Sequence, residues 1–193
     1  MANVDTLEPI ALKEWAVTVK ALAEGRQLIV MRKGGIAEET REFQLVSPRF
    51  YLMPAYEHQK HHLLKEIHRS ELDELLADWR NNDGMLRLNA YAEVVQDIEV
   101  TDQETLDKLR DFHIWTDGFA EERLKWKRTK PLHVLVLRVY KLDEEVELPI
   151  VPAYTGCKSW ARLEQEVQHS PYKPVLSDED FYAQVDRINQ ALL

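Results

Sequence analysis

The chain has one cysteine, Cys157, in 193 residues, which excludes an internal disulfide and fits a reducing interior. No apolar run approaches the roughly 18–20 residues that cross a bilayer. The first residues, Met1-Ala2-Asn3-Val4-Asp5, lack the basic region and apolar stretch of a secretion signal. A soluble cytoplasmic protein that avoids membranes is expected. Acidic residues outnumber Lys and Arg 34 to 25, and the net charge of −9 argues against nucleic-acid binding spread over the whole surface. No repeat, low-complexity segment or Pro/Gly/Ser linker divides the chain. Its length and 45% apolar content suit a single domain over 1–193, with a core at about 10–165 and a helical extension over 166–193.

Several chemistries lose their usual signatures. The glycine pair in Arg32-Lys33-Gly34-Gly35-Ile36 has neither dinucleotide-fingerprint nor Walker spacing, so it reads as a turn or as a nest of N–H groups for one anion. Glu57-His58-Gln59-Lys60-His61-His62 is not the metalloprotease motif, because no Glu follows the first His, and Lys60 adds unwanted charge. No lysine has Asp or Glu two positions before it, so the acid-spacer-lysine form of a metal-dependent nuclease is missing. Cys157, beside Lys158, is a weak nucleophile candidate and otherwise a packed residue. No metal ion or cofactor is expected.

Charge is distributed unevenly along the chain. Residues 20–69 hold nine Lys/Arg against six Asp/Glu, and residues 110–141 hold eight against four. The remaining stretches are acidic. The two basic segments carry the unusual motifs. In the first, Arg32-Lys33 ends an apolar run, and Tyr56, Glu57, His58 and Gln59 form a hydrogen-bonding set just past another. In the second, Arg123, Lys125, Trp126, Lys127 and Arg128 interleave charge with an aromatic, a pattern that holds phosphates while a ring stacks on a base. Arg138 sits inside an apolar strand and needs a partner or a ligand there.

The periodicities predict a helix over Leu12–Leu22 stopped by Gly25, and strands over Leu28–Met31, Phe43–Val46 and Phe50–Met53. An apolar stripe of Leu72, Leu75, Leu76 and Trp79 marks a helix ended by Asn81-Asn82-Asp83-Gly84. Alternation from Leu86 to Val94 marks a half-buried strand. Thr101-Asp102-Gln103-Glu104 reads as a capping box, and a helix is expected from Thr116 to about Trp126. Val134–Leu142 is the most strand-like run. Ser159 is expected to cap a helix carrying Trp160 and Leu163, and an amphipathic helix follows Ser177. Without a regular βαβα rhythm, the expected fold is α+β: a small mixed, largely antiparallel β-barrel decorated by helices.

Ala11-Leu12-Lys13-Glu14-Trp15-Ala16-Val17, Met31-Arg32-Lys33-Gly34-Gly35-Ile36 and Tyr51-Leu52-Met53-Pro54-Ala55-Tyr56-Glu57-His58-Gln59 together resemble the bacterial domain-of-unknown-function 1802 family, from Leu12 to about Leu163. Ala55 stands where Thr is expected. The resemblance implies no established activity, only a suspected link of relatives to DNA restriction systems. The order of Tyr91-Ala92-Glu93-Val94, helices and then Leu132–Leu142 is similar to the PUA, ASCH and EVE group. That resemblance implies a PUA-like barrel with a cleft for RNA or a modified base.

The leading expectation is a non-catalytic or weakly catalytic domain that binds RNA, single-stranded DNA or a modified base. Arg32, Lys33, Arg123, Lys127 and Arg138 would hold phosphates, and Tyr56, His58, Gln59 and Trp126 would stack on or read a base. The alternative is a DNA-processing or phosphate-ester-directed enzyme with Glu57 and His58 as acid and base. A third reading is an interaction module whose C-terminal helix docks on a partner. The oligomeric state is left open.

Overall fold

The computed structural model describes residues 7–33, 43–80, 83–156, 158–164, 167 and 171–193. The Gly34-Gly35 turn and Cys157 lie outside them. Strand β1 (Ile10–Trp15) passes without a loop into helix α1 (Ala16–Ala23), so the predicted helix over Leu12–Leu22 is half strand. The cause is tertiary: β1 pairs in parallel with β3 (Arg49–Ala55), from Ala11 opposite Tyr51 to Trp15 opposite Ala55. Helical spacing from Trp15 onward is real, and Leu12 fell into step by coincidence. Gly25, at φ +71°, turns the chain out of α1, and a Cβ there would lie 2.7 Å from Leu176 Cδ2.

Strand β2 (Ile29–Arg32) follows as predicted. Phe43–Val46 forms no strand. Two 3-10 turns lead into α2 (Arg69–Arg80), which carries the Leu72–Trp79 stripe. β4 (Met85–Val100) and β5 (Leu132–Pro149) make the longest ladder. Register shifts between Leu88 and Ala90 and between Val94 and Gln96 interrupt it. The first shift sends Leu86 and Leu88 into one core cluster and Ala90 and Ala92 into another, where strict alternation would keep them together.

Helices α3 (Gln103–Lys108) and α4 (Asp117–Lys125) connect β4 to β5. Asp102, not Thr101, caps α3, accepting the Thr105 N–H at 2.8 Å. Thr116 caps α4 by accepting the Phe119 N–H at 3.2 Å. Trp160 and its neighbours form a short strand, β6 (Trp160–Arg162), against β1, and the helix expected after Ser159 does not form. β7 (Tyr172–Pro174) pairs with β5, and α5 (Asp178–Leu192) closes the chain.

The sheet runs β2-β5-β4-β3-β1-β6, with β7 also on β5. It is mixed, because β1 and β3 are parallel while the other pairs are antiparallel. Among the described residues β2 and β6 share no ladder, so the sheet is open and the expected barrel does not close. Side chains bridge part of that gap. Phe43 lies 5.6 Å from the His133 ring on β5 and 6.2 Å from Trp160 on β6, whose Nε1–H donates to the Gln44 carbonyl at 2.9 Å.

Alternate residues of β5 feed opposite cores: Val134 and Val136 face α2, α3, α4 and α5, while Leu135, Leu137 and Val139 face Leu12, Phe50 and Leu52. α1 contributes to both, with Val17 and Ala21 in one and Val19 and Leu22 in the other. α5 is integral to the first core. Phe181, Val185 and Ile188 are buried there, each contributing about 1.5–3 kcal/mol. No helix among the described residues is long and apolar enough to cross a membrane.

Candidate functional site: a cationic cleft where parallel strands end

β1 and β3 point the same way and stop side by side, so the residues just past both strands emerge at one edge of the sheet. Open sheets commonly carry sites beyond the carboxyl ends of parallel strands. Here those ends supply Glu14, Trp15, Ala55, Glu57 and His58. β2 brings Arg32 and Lys33, and α4 brings Phe119, Glu122 and Arg123, with Trp126 just beyond it. Gly156, Lys158 and Ser159, entering β6, form the far wall. The result is a cleft of about 530 Å³. That volume suits a small-molecule or single-nucleotide site. Five Lys or Arg side chains line it against three Glu, the reverse of the chain as a whole.

Its floor is a buried ion pair. Glu14 follows Ile10 and Leu12 on the inner face of β1 and is 8% exposed. One carboxylate oxygen accepts from the Trp15 N–H at 2.7 Å, and the other accepts from Arg32 Nη2 at 3.0 Å. Arg32 Nη2 also donates to the Lys13 carbonyl, while its buried Nε has no hydrogen-bond partner among the described residues. Lys33 Nζ donates to the Leu124 carbonyl in the last turn of α4, and burial lowers its pKa. Lys13 Nζ reaches the Gly156 carbonyl at 2.6 Å.

Arg123 shares the Glu14 carboxylate with Arg32. Its guanidinium stands 5.0 Å over the Phe119 ring. Burial lowers its pKa, the Glu14 carboxylate opposes that shift, and the Arg32 charge reinforces it. Two guanidinium groups therefore answer to one buried carboxylate, leaving positive charge for an incoming anion. Trp15 and Phe119, with ring centroids 5.3 Å apart, and the half-exposed Trp126 supply aromatic surface beside it.

The structure thus gathers Arg32, Lys33, His58, Arg123 and Trp126 into one cleft, with Glu57 at its rim. Lys127 stands one step outside, its ammonium 4.5 Å over the Trp126 ring. Tyr56 lines a neighbouring slot, where its ring stacks on Trp79 at 4.2 Å and 4°, and burial raises its pKa. One face of Tyr56 is therefore already covered.

Gln59 lies behind the cleft. Its Oε1 accepts the Val17 N–H of α1 at 3.2 Å and its Nε2 donates to the Tyr56 carbonyl at 3.4 Å. Between them His58 adopts a left-handed φ of 64°, a conformation uncommon outside glycine and often found at sites. Gln59→Ala should lower stability by about 1 kcal/mol, measured by urea denaturation, because an N–H at the start of α1 loses its acceptor.

Arg138 does not line the cleft. It pairs with Asp178 at the start of α5, and its guanidinium lies 4.6 Å over Phe181. It anchors that helix. His61 pairs with Asp73 at 2.6 Å, and among the described residues no group of three or more His, Cys, Asp or Glu side chains is placed to share a metal ion.

Sequence reasoning missed Glu14, Trp15, Phe119 and Lys158 as lining residues. Glu14 and Trp15 stand within the first family-like motif, but a helical reading sends their side chains elsewhere.

No curated protein matches the chain. Among solved structures it is similar to ASCH from Zymomonas mobilis, with 12% identity and a TM-score of 0.43 over 94% of this chain and 96% of that one. A mutant of the same protein gives 12% identity and 0.42 over 92% and 96%. The model of the family described as "Domain of unknown function (DUF1802)" matches residues 11–187. With nearly its whole length matched, the chain belongs to that family.

Proposed function

We propose that this chain binds single-stranded nucleic acid, RNA or DNA, with phosphate held in the cleft and a base against its aromatic surface. One observation carries the reading. Arg32, Lys33, His58, Arg123 and Trp126 come from separate segments of an acidic chain, yet line one hollow with a local excess of cations. Burial makes the guanidinium of Arg123, which shares one carboxylate with Arg32, more responsive to an anion than a charge in open water. Guanidinium for phosphate and indole for a base is the usual division of labour in single-strand recognition.

The test is fluorescence anisotropy of labelled oligo-dT and oligo-rU against the full chain. If about three phosphates are held, a fourfold rise in salt weakens binding on the order of tenfold. Arg123→Ala should weaken it by a similar factor at low salt. Lack of binding to either oligonucleotide at low salt removes the proposal. Because Glu57 and His58 share the rim, the same mixtures should be chromatographed afterwards. Intact strands keep the chain a binder, and cleaved strands make it an enzyme.

A further inference from the structure

Beside the cleft lies a smaller slot of about 100 Å³ whose chemistry differs. Its walls include Pro54, Tyr56, Trp79 and Tyr154, and it shares Lys13, Glu57 and His58 with the cleft. Tyr56 and Trp79 are parallel within 4° and 4.2 Å apart, so two residues from β3's end and from α2 make one fixed aromatic pair. Tyr154 is almost wholly buried. Its Oη accepts the Glu164 N–H at 3.0 Å, which leaves the phenolic proton as a donor. Charge is confined to the border with the cleft. A flat-walled slot of this size admits one ring system and not a flexible chain.

We propose that the slot is a base subsite. The ligand is a nucleotide unit whose phosphate meets Arg123 in the cleft while its base lies against the aromatic wall that the stacked Tyr56–Trp79 pair gives the slot. This rests on the nucleic-acid reading above and specifies it, since the unit recognised is a joined base and phosphate and not a phosphate backbone alone. A nucleotide unit can come from a strand or from a free mononucleotide, and the two sources are separated by the probes below.

The full chain is titrated calorimetrically with ribose 5-phosphate, adenosine and uridine 5′-monophosphates, and oligo-rU. The mononucleotides should bind at least tenfold more tightly than ribose 5-phosphate, the order expected for stacking of one base. Trp79→Ala should erase that factor and leave ribose 5-phosphate affinity unchanged, whereas Arg123→Ala should weaken every probe. Trp79→Phe guards against misfolding, because it keeps the stack but removes the indole. The ligand-induced change in tryptophan emission should shrink in that variant while binding persists.

Equal affinities for mononucleotides and ribose 5-phosphate overturn the base subsite. If oligo-rU still binds in that case, the nucleic-acid reading survives alone. Mononucleotide binding without oligonucleotide binding keeps the subsite and removes strands as the source. Silence from every probe removes both.

Discussion

Glu14→Gln lowers the unfolding free energy by about 3–5 kcal/mol, the cost of leaving one partner of a buried ion pair uncompensated. The substitution is nearly isosteric, so little of that loss comes from packing. Arg32 keeps its donation to the Lys13 carbonyl but loses its counter-charge, and Arg123 loses the carboxylate that offset its burial. A second effect distinguishes this from an ordinary destabilised core. Inorganic phosphate should restore part of the lost stability in the variant and do much less for the native chain, since a bound anion replaces Glu14. Guanidinium denaturation is unsuitable because its cation competes, so urea titration with and without phosphate is the measurement. A loss below 1 kcal/mol would mean that the pair is solvated and the cleft floor is not the charged element described.

The second large effect is on the acid side. His113 is 5% exposed, and burial, aided by the Lys65 ammonium, lowers its pKa from 6.5 to about 4. The unfolded chain therefore binds this proton more readily than the folded one. The contribution is fully present above pH 6.5 and is lost as pH falls towards 4, amounting to about 3 kcal/mol. Urea midpoints should drop through that window. In His113→Phe, which retains a ring beside Trp115 at the 5.7 Å packing position, the slope assigned to this window should vanish whatever the absolute stability. Persistence of the full slope would place the titrating group elsewhere.

Much of the architecture was legible because local pattern and tertiary role agree. The Leu72–Trp79 stripe, the Val134 run and the tail after Ser177 each bury the face that their spacing marks. Local rules failed where a distant partner decides. β1 contains no residue that announces a strand ending at Trp15, and pairing with β3 some forty residues later determines it. Phe43 is apolar in sequence, but its ring packs between β5 and β6 and not as a rung of a ladder.

The cleft shows the same division. Residue chemistry pointed to Arg32, Lys33, His58, Arg123 and Trp126, and the fold assembles them. It pointed equally to Arg138, whose counter-charge at Asp178 lies forty positions away. The stacking partner of Tyr56 was hidden in a stripe that looked purely like core. Trp79 extends the α2 stripe beyond that core and stacks on Tyr56 in the slot.

β1 is flanked by β3 on one side and by β6 on the other, and β6 is made about 150 residues after it. During synthesis, β1 must wait with one backbone edge open while the residues between it and β6 leave the ribosome. Lys158 and Ser159 arrive with β6, so the far wall of the cleft is translated after its floor. A product terminated before β6 would therefore lack both the far wall of the cleft and the neighbour that covers β1. Its bare strand would be a template for intermolecular pairing, a hazard for quality-control proteases to clear.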